Sequence, residues 1–138
     1  MNAVNNPGTL SLYERLGGHE GILRLITPFY FDVRQHHVLG PIFNTRIQDW
    51  PTHLAHITDF WARQTGGPSR YGGGFAGAHL QLGIAPGHVE QWLALWDFNC
   101  RRQLSPTEAA ELSTLARSIG TQLQKILAGR SGLSIGTD

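Results

Sequence analysis

The 138-residue chain has one cysteine, Cys100, and so cannot form an internal disulfide; nothing in it requires an oxidising compartment. No apolar run approaches the roughly 20 residues of a membrane span. No segment has the charged start, apolar middle and small-residue cleavage site of a signal peptide. These absences predict a cytoplasmic protein with no membrane partner. Long runs of one charge are also missing, and the formal net charge is only +1. That excludes the clustered basic surface of a nucleic-acid binder. There is no P-loop, dinucleotide fingerprint, nucleophile elbow or CxxC pair, so the chain carries no phosphate, flavin, nicotinamide or dithiol signature.

Hydrophobic residues make up 41% of the chain and charged residues 15%, a balance that supports one packed domain. Its periodicity is helical almost throughout, with no convincing alternating strand and no internal repeat. Polar residues 1–10 read as a flexible leader, residues 11–128 as the folded domain, and Gly- and Ser-rich residues 129–138 as a flexible tail.

Within the domain, Ser11 followed by Glu14 is a capping-box pattern for a short turn ending at Gly17-Gly18. A helix from about His19 to Gln35 follows, with Pro28 inside it predicting a kink. Leu39 to Phe43 forms a tight turn or short helix. Asp49 and Pro51 open a helix reaching about Gln64, Pro86 opens another, and Ser105-Pro106 with Glu108 opens the last. Gly72-Gly73-Gly74 makes a pliable connection, with a short helix expected over residues 75–82. Four long amphipathic helices cannot bury their apolar stripes alone, so the fold class is all-α.

The chain also has seven histidines and four tryptophans. His53 and His56 lie three apart on one helix, a spacing that suits a metal but without neighbouring carboxylates. His79 follows the glycine-rich connection and is flanked by Gly77 and Ala78. Such small neighbours admit a large flat group, whose iron an imidazole there could bind; a surface histidine on a short helix is the alternative. Tyr30 lies beside Phe29 at the edge of an apolar face, where its hydroxyl could enter a cavity. His19, His36 and His37 read as solvated, and His88 has no evident partner.

Taken in order, Phe29-Tyr30, then Leu39-Gly40-Pro41-Ile42-Phe43-Asn44, Trp50-x-x-His53, Phe60-Trp61, Tyr71-x-Gly73, His79-Leu80-x-Leu82 and Trp92-Leu93-x-Leu95-Trp96 resemble the truncated haemoglobins. The resemblance covers about residues 11 to 127. The eight-residue step from Tyr71 to His79 is most similar to group III, the P-type branch. Phe75 and Ala76 stand where that group usually has a proline and a larger residue.

The resemblance implies a two-over-two helical sandwich around haem b. It places His79 at the proximal iron ligand, Tyr30 at the distal tyrosine and Phe43 against the porphyrin. His53 and Ile57 fall at distal positions of the E helix and Trp92 at the distal tryptophan of the G helix. Phe29 and Phe60 join this set as haem-pocket aromatics. The expected ligands are dioxygen, NO and CO, with NO dioxygenase or peroxidase-like activity depending on an external reductase. A haem-free helical interaction module and a mononuclear metal protein using His53 and His56 are the competing readings.

Overall fold

The computed structural model describes residues 10–74, 78–79 and 83–137, with the backbone alone over 130–137. The described residues form six helices and no strand. They are α1 (Leu12–Leu16), α2 (Gly18–Gln35), α3 (Leu39–Arg46), α4 (Trp50–Gln64), α5 (Pro86–Gln103) and α6 (Pro106–Thr137). Ala78 and His79 are also helical, while Phe75 to Gly77 and Leu80 to Leu82 of the expected proximal helix lie outside the described residues.

The helix starts are set by local chemistry. Ser11 Oγ accepts the Glu14 amide at 3.1 Å and Glu14 accepts the Ser11 amide at 3.0 Å, closing the capping box of α1. Gly17 ends α1 at φ +98°, a left-handed conformation natural only to glycine, and α2 begins at once. Asp49 caps α4 by accepting both the amide and the hydroxyl of Thr52, and these bonds hold its carboxyl below the usual range. Helix α2 continues through Pro28 as one element. Proline in a helix interior costs about 3 kcal/mol. The burial of Phe29, Tyr30 and Val33 immediately beyond it keeps this turn in place.

The helices pack as two layers: α2 against α4, and α5 against α6, with α2 crossing α5. Ile22, Ile26, Phe29, Val33, Trp96 and Leu112 fill the space between them, essentially without solvent contact. Asn99 is also fully buried, where its amide donates to the Leu25 carbonyl at 2.9 Å and its oxygen accepts from Gln103 at 2.9 Å. A satisfied polar pair of this kind fixes where α5 crosses α2. The backbone of α6 stays helical through Thr137, across the stretch expected as a tail. Each interior glycine there, such as Gly132 or Gly136, weakens a helix by about 1 kcal/mol relative to alanine. No described helix is long and apolar enough to cross a membrane.

Candidate functional site: an aromatic-walled cavity with four histidines

Helices α2 to α6 and the connection after α4 enclose a cavity. Tyr30, Phe43, His53, Ile57, Phe60, His79 and Trp92 all line it, so the fold gathers seven of the eight sequence-predicted site residues. Phe29 does not line it. It is fully buried behind the wall, edge-on to Tyr30 at 4.7 Å and to Trp92 and Trp96 at 5.0 Å each. Its position on α2 turns it into the α2–α5 interface, where it sets the rings that do face the cavity.

The tryptophans form a ladder. Trp92 stacks on Trp96 with centroids 5.2 Å apart, and Trp96 stacks on Trp61 at 4.6 Å. The Trp96 indole donates to the Leu112 carbonyl at 3.3 Å, tying the ladder to α6. Both outer rings, Trp92 and Trp61, line the cavity. Trp92 and Tyr30 line the cavity together. Burial pushes the Tyr30 hydroxyl well above its usual pKa, against a smaller opposite effect of Trp92, so it stays protonated. A protonated hydroxyl at this wall can donate into the cavity.

His53 sits edge-on to Trp50 at 5.3 Å and to Tyr30 at 6.2 Å. Burial pushes its pKa down to about 4, with further lowering from His56 and then His79. Its ring is therefore neutral at pH 7, and His79 lines the same cavity. His56 and His88 also line the cavity, as do Trp61 and Tyr71. Tyr71 carried part of the sequence motif, whereas nothing in the helical periodicity marked His88.

Three histidines are placed differently from their sequence reading. His88 has a partner: its Nδ1 accepts the Ala85 amide at 3.0 Å and so caps α5. His36 Nδ1 accepts the amides of Val38 and Leu39, each at 3.1 Å, and orders the start of α3. His19 is bonded on both ring nitrogens, to Tyr13 and to Asp59. The first two bonds run to nearby backbone amides and the third crosses between helices, so side-chain periodicity gave no sign of them.

The donor set decides what the cavity can hold. None of its described lining residues is a carboxylate, thiol, lysine or arginine. No group of three or more His, Cys, Asp or Glu side chains among the described residues could hold a metal ion. His53 and His56 therefore lack the partners of a chelated metal site. Apolar and aromatic walls with imidazoles drawn from separate elements would suit instead a flat macrocycle that brings most of its own metal ligands, with a histidine to hold it.

A family model described as bacterial-like globin matches residues 11–118. The chain is 39% identical over 83 residues to the group 3 truncated hemoglobin of Campylobacter jejuni, covering 56% of this chain and 65% of that relative's length. The crystal structure of the group III truncated hemoglobin from Campylobacter jejuni superposes with a TM-score of 0.75 and 31% identity, covering 80% of this chain and 91% of that one. The 2/2 hemoglobin of Synechococcus sp. PCC 7002, solved with covalently attached heme, shares the fold at a TM-score of 0.74 and 23% identity, covering 86% and 98% of the two chains. Haem is the cofactor this family implies, usually in its b form. With two helical layers around a cavity built for a macrocycle, and a family match over most of its length, the chain belongs to the bacterial-like globins, in the two-over-two form of the truncated haemoglobins.

Proposed function

We propose that this globin holds haem b through His79 and binds dioxygen, NO or CO beside Tyr30. The observation that supports this reading most is the juxtaposition of His79 with Tyr30, His53 and Trp92 around one cavity that offers no other strong ligand. Bound haem supplies an iron with one coordination position open to a diatomic ligand. The protein's own residues supply the rest. The imidazole of His79 anchors the group from one wall. Phe43, Ile57 and Phe60 exclude water. Tyr30, kept protonated by burial, would donate a hydrogen bond to a polarised ligand, and Trp92 would present its indole N–H from the same cavity wall.

A hydrogen bond to a charged or strongly polarised acceptor is worth about 1.5–3 kcal/mol, or about one to two decades in dissociation constant. Dioxygen held that firmly suits NO dioxygenation or peroxide reduction better than bulk carriage. Either turnover draws electrons from a separate reductase, since the chain has no flavin or nicotinamide motif. A lone buried cysteine, Cys100, accords with a cytoplasmic location.

The test is the absorption spectrum of the purified protein, ferric and dithionite-reduced, with and without carbon monoxide, for wild type and His79→Gly. Wild type is expected to show a Soret band and a carbon monoxide adduct, and His79→Gly to lose normal axial ligation and regain it with added imidazole. Absence of specific haem uptake by wild type overturns the reading and returns the haem-free interaction module. A low-spin ferric spectrum that disappears in His53→Ala would give His53 a second role as an iron ligand in the resting state.

A further inference from the structure

Helix α1 is five residues long and does not line the cavity, yet it is bonded to the segment that leads toward His79. Tyr13 is the centre of this arrangement. Its amide donates to the Thr65 carbonyl at the end of α4, at 3.0 Å. Its ring lies against Gly67, where an added Cβ would stand 2.3 Å from Tyr13 Cδ1, so only glycine fits there. The Tyr13 hydroxyl meets His19 Nδ1 at 2.5 Å and accepts the His19 backbone amide at 3.2 Å. His19 Nε2 in turn meets Asp59 Oδ1 at 3.1 Å.

With the His19 ring neutral, the proton positions in this chain follow from Asp59, whose carboxylate only accepts. Tyr13 oxygen accepts one amide and gives its only proton to Nδ1. The ring hydrogen of His19 is then on Nε2 and is donated to Asp59. Asp59 also receives the connection itself. Its side chain lies 3.5 Å from the Arg70 amide, and its carbonyl accepts the Ser69 hydroxyl. Ser69 Oγ accepts the Tyr71 amide at 3.0 Å, and Arg63 donates to the Tyr71 carbonyl at 3.2 Å. Tyr71 then packs edge-on to Phe60 at 5.1 Å and lines the cavity. By contrast, a Cβ added at Gly72, Gly73 or Gly74 would meet nothing within 4 Å. The segment's described attachments are therefore concentrated at its start, on Tyr13 and on the outer face of α4.

We propose that Tyr13, His19 and Asp59 are positioning residues, a hydrogen-bonded clamp that holds residues 66–74 and thereby keeps Tyr71 at the cavity wall in the arrangement that retains haem. The functional half of this statement rests on the haem reading above; the structural half does not. Water competes at His19 and Asp59, whose side chains are 40% and 25% exposed. Each bond is accordingly modest alone, and the three residues act as one unit.

Amide hydrogen exchange of residues 66–74 in the full-length protein reads the clamp without reference to haem. Haem transfer to excess apomyoglobin reads its consequence. Exchange is expected to speed up about tenfold in His19→Leu, Tyr13→Phe and Asp59→Ala, the scale of one net hydrogen bond. Tyr13→Phe removes a single oxygen atom and serves if a harsher variant does not fold. The double variant Tyr13→Phe/His19→Leu should be faster than His19→Leu by less than the tenfold of Tyr13→Phe alone, because the side-chain bonds belong to one chain and only the residue-19 amide bond remains to be lost. His19→Gln, whose carboxamide also offers an acceptor and a donor, should return close to wild type.

Haem transfer should follow the same order. Exchange within twofold of wild type in His19→Leu, or no recovery in His19→Gln, overturns the clamp. Faster exchange with unchanged haem transfer overturns its link to haem retention. A wild type that takes up no haem but shows this exchange pattern overturns the haem reading and leaves the clamp in place.

Discussion

Tyr30, His53 and Trp92 reach the cavity from the long helices α2, α4 and α5, whereas His79 reaches it after a connection that contains Gly72, Gly73 and Gly74. Behind Tyr30 and Trp92 stand Phe29 and Trp96, packed edge-on or stacked with centroids 4.7–5.2 Å apart, and His53 lies edge-on to Trp50 at 5.3 Å. Behind those glycines, within 4 Å of where a side chain would begin, there is nothing. Rigid packing fixes the direction of a hydrogen-bond donor to a fraction of an ångström. The described packing is thus concentrated around the donors on the long helices, while the three glycines of the connection stand in open space.

Removing the centre of the packed region should break this contrast most severely. Trp96 has no solvent exposure, stacks on two indoles and bonds to Leu112. Trp96→Ala is expected to cost about 3–5 kcal/mol, a fall in Tm of roughly 10–15 °C for a domain of this size. Gly72→Ala, in open space at a glycine without positive φ, should stay within about 0.5 kcal/mol of wild type. Thermal unfolding of the two proteins followed by circular dichroism makes the comparison. Similar losses in both would mean that the connection carries packing the glycine surroundings do not show.

Tyr30→Phe sharpens the same contrast at the level of function. The ring and its packing remain, and only the donor to the ligand is removed. The dioxygen off-rate is expected to rise by about one to two decades, with little change in Tm. Trp92→Phe removes the indole N–H from the cavity wall and should give a smaller rise. Stopped-flow displacement of dioxygen by carbon monoxide measures both, and an unchanged off-rate in Tyr30→Phe removes its donor role.

The packed region was also the legible one. Its helices announce themselves through Ser11 with Glu14, Asp49 with Pro51, and Pro86, because caps act over three or four residues and are visible in a short stretch of sequence. The ordered motifs from Phe29 to Trp96 located seven residues that the fold brings to the cavity. Phe29 lies behind the wall instead, because its neighbour on α2 faces the cavity while Phe29 itself faces α5, a difference of one helical position. His19, His36 and His88 were illegible for another reason. A histidine's role depends on what its two nitrogens meet, and those partners are backbone amides or residues on other helices. Tyr13 was equally silent, since its contact with Gly67 joins residues 54 positions apart.

His36→Ala tests one of these hidden roles. Two amides at the start of α3 lose their acceptor, a loss of the kind worth about 1 kcal/mol at a helix N-terminus. Helix α3 carries Phe43 to the cavity. Chemical denaturation should therefore show a slightly lower midpoint with an unchanged slope. A midpoint equal to wild type would mean that water replaces the imidazole without loss.

The smallest effect is expected on the far side of α1, where the same short helix that bonds the connection through Tyr13 also bonds α6 through Arg15. Arg15 lies 2.9 Å from Glu108 and 2.6 Å from Glu111, with a second bond to Glu111 at 2.8 Å. Arg15 holds the Glu111 carboxyl below the usual range, and the Ser105 hydroxyl followed by Arg15 does so for Glu108. Depressed carboxyl pKa values add stability that is fully present above the unfolded value of 4.5 and is lost as the pH falls through the folded values. Arg15→Gln should therefore lower Tm slightly at neutral pH and flatten its decline below about pH 4.5, and added salt should shrink the difference. Its haem transfer rate should equal that of wild type. If Arg15→Gln releases haem as fast as His19→Leu, then α1 holds the cavity simply by being docked, and the particular bonds of Tyr13 and His19 are not what matters.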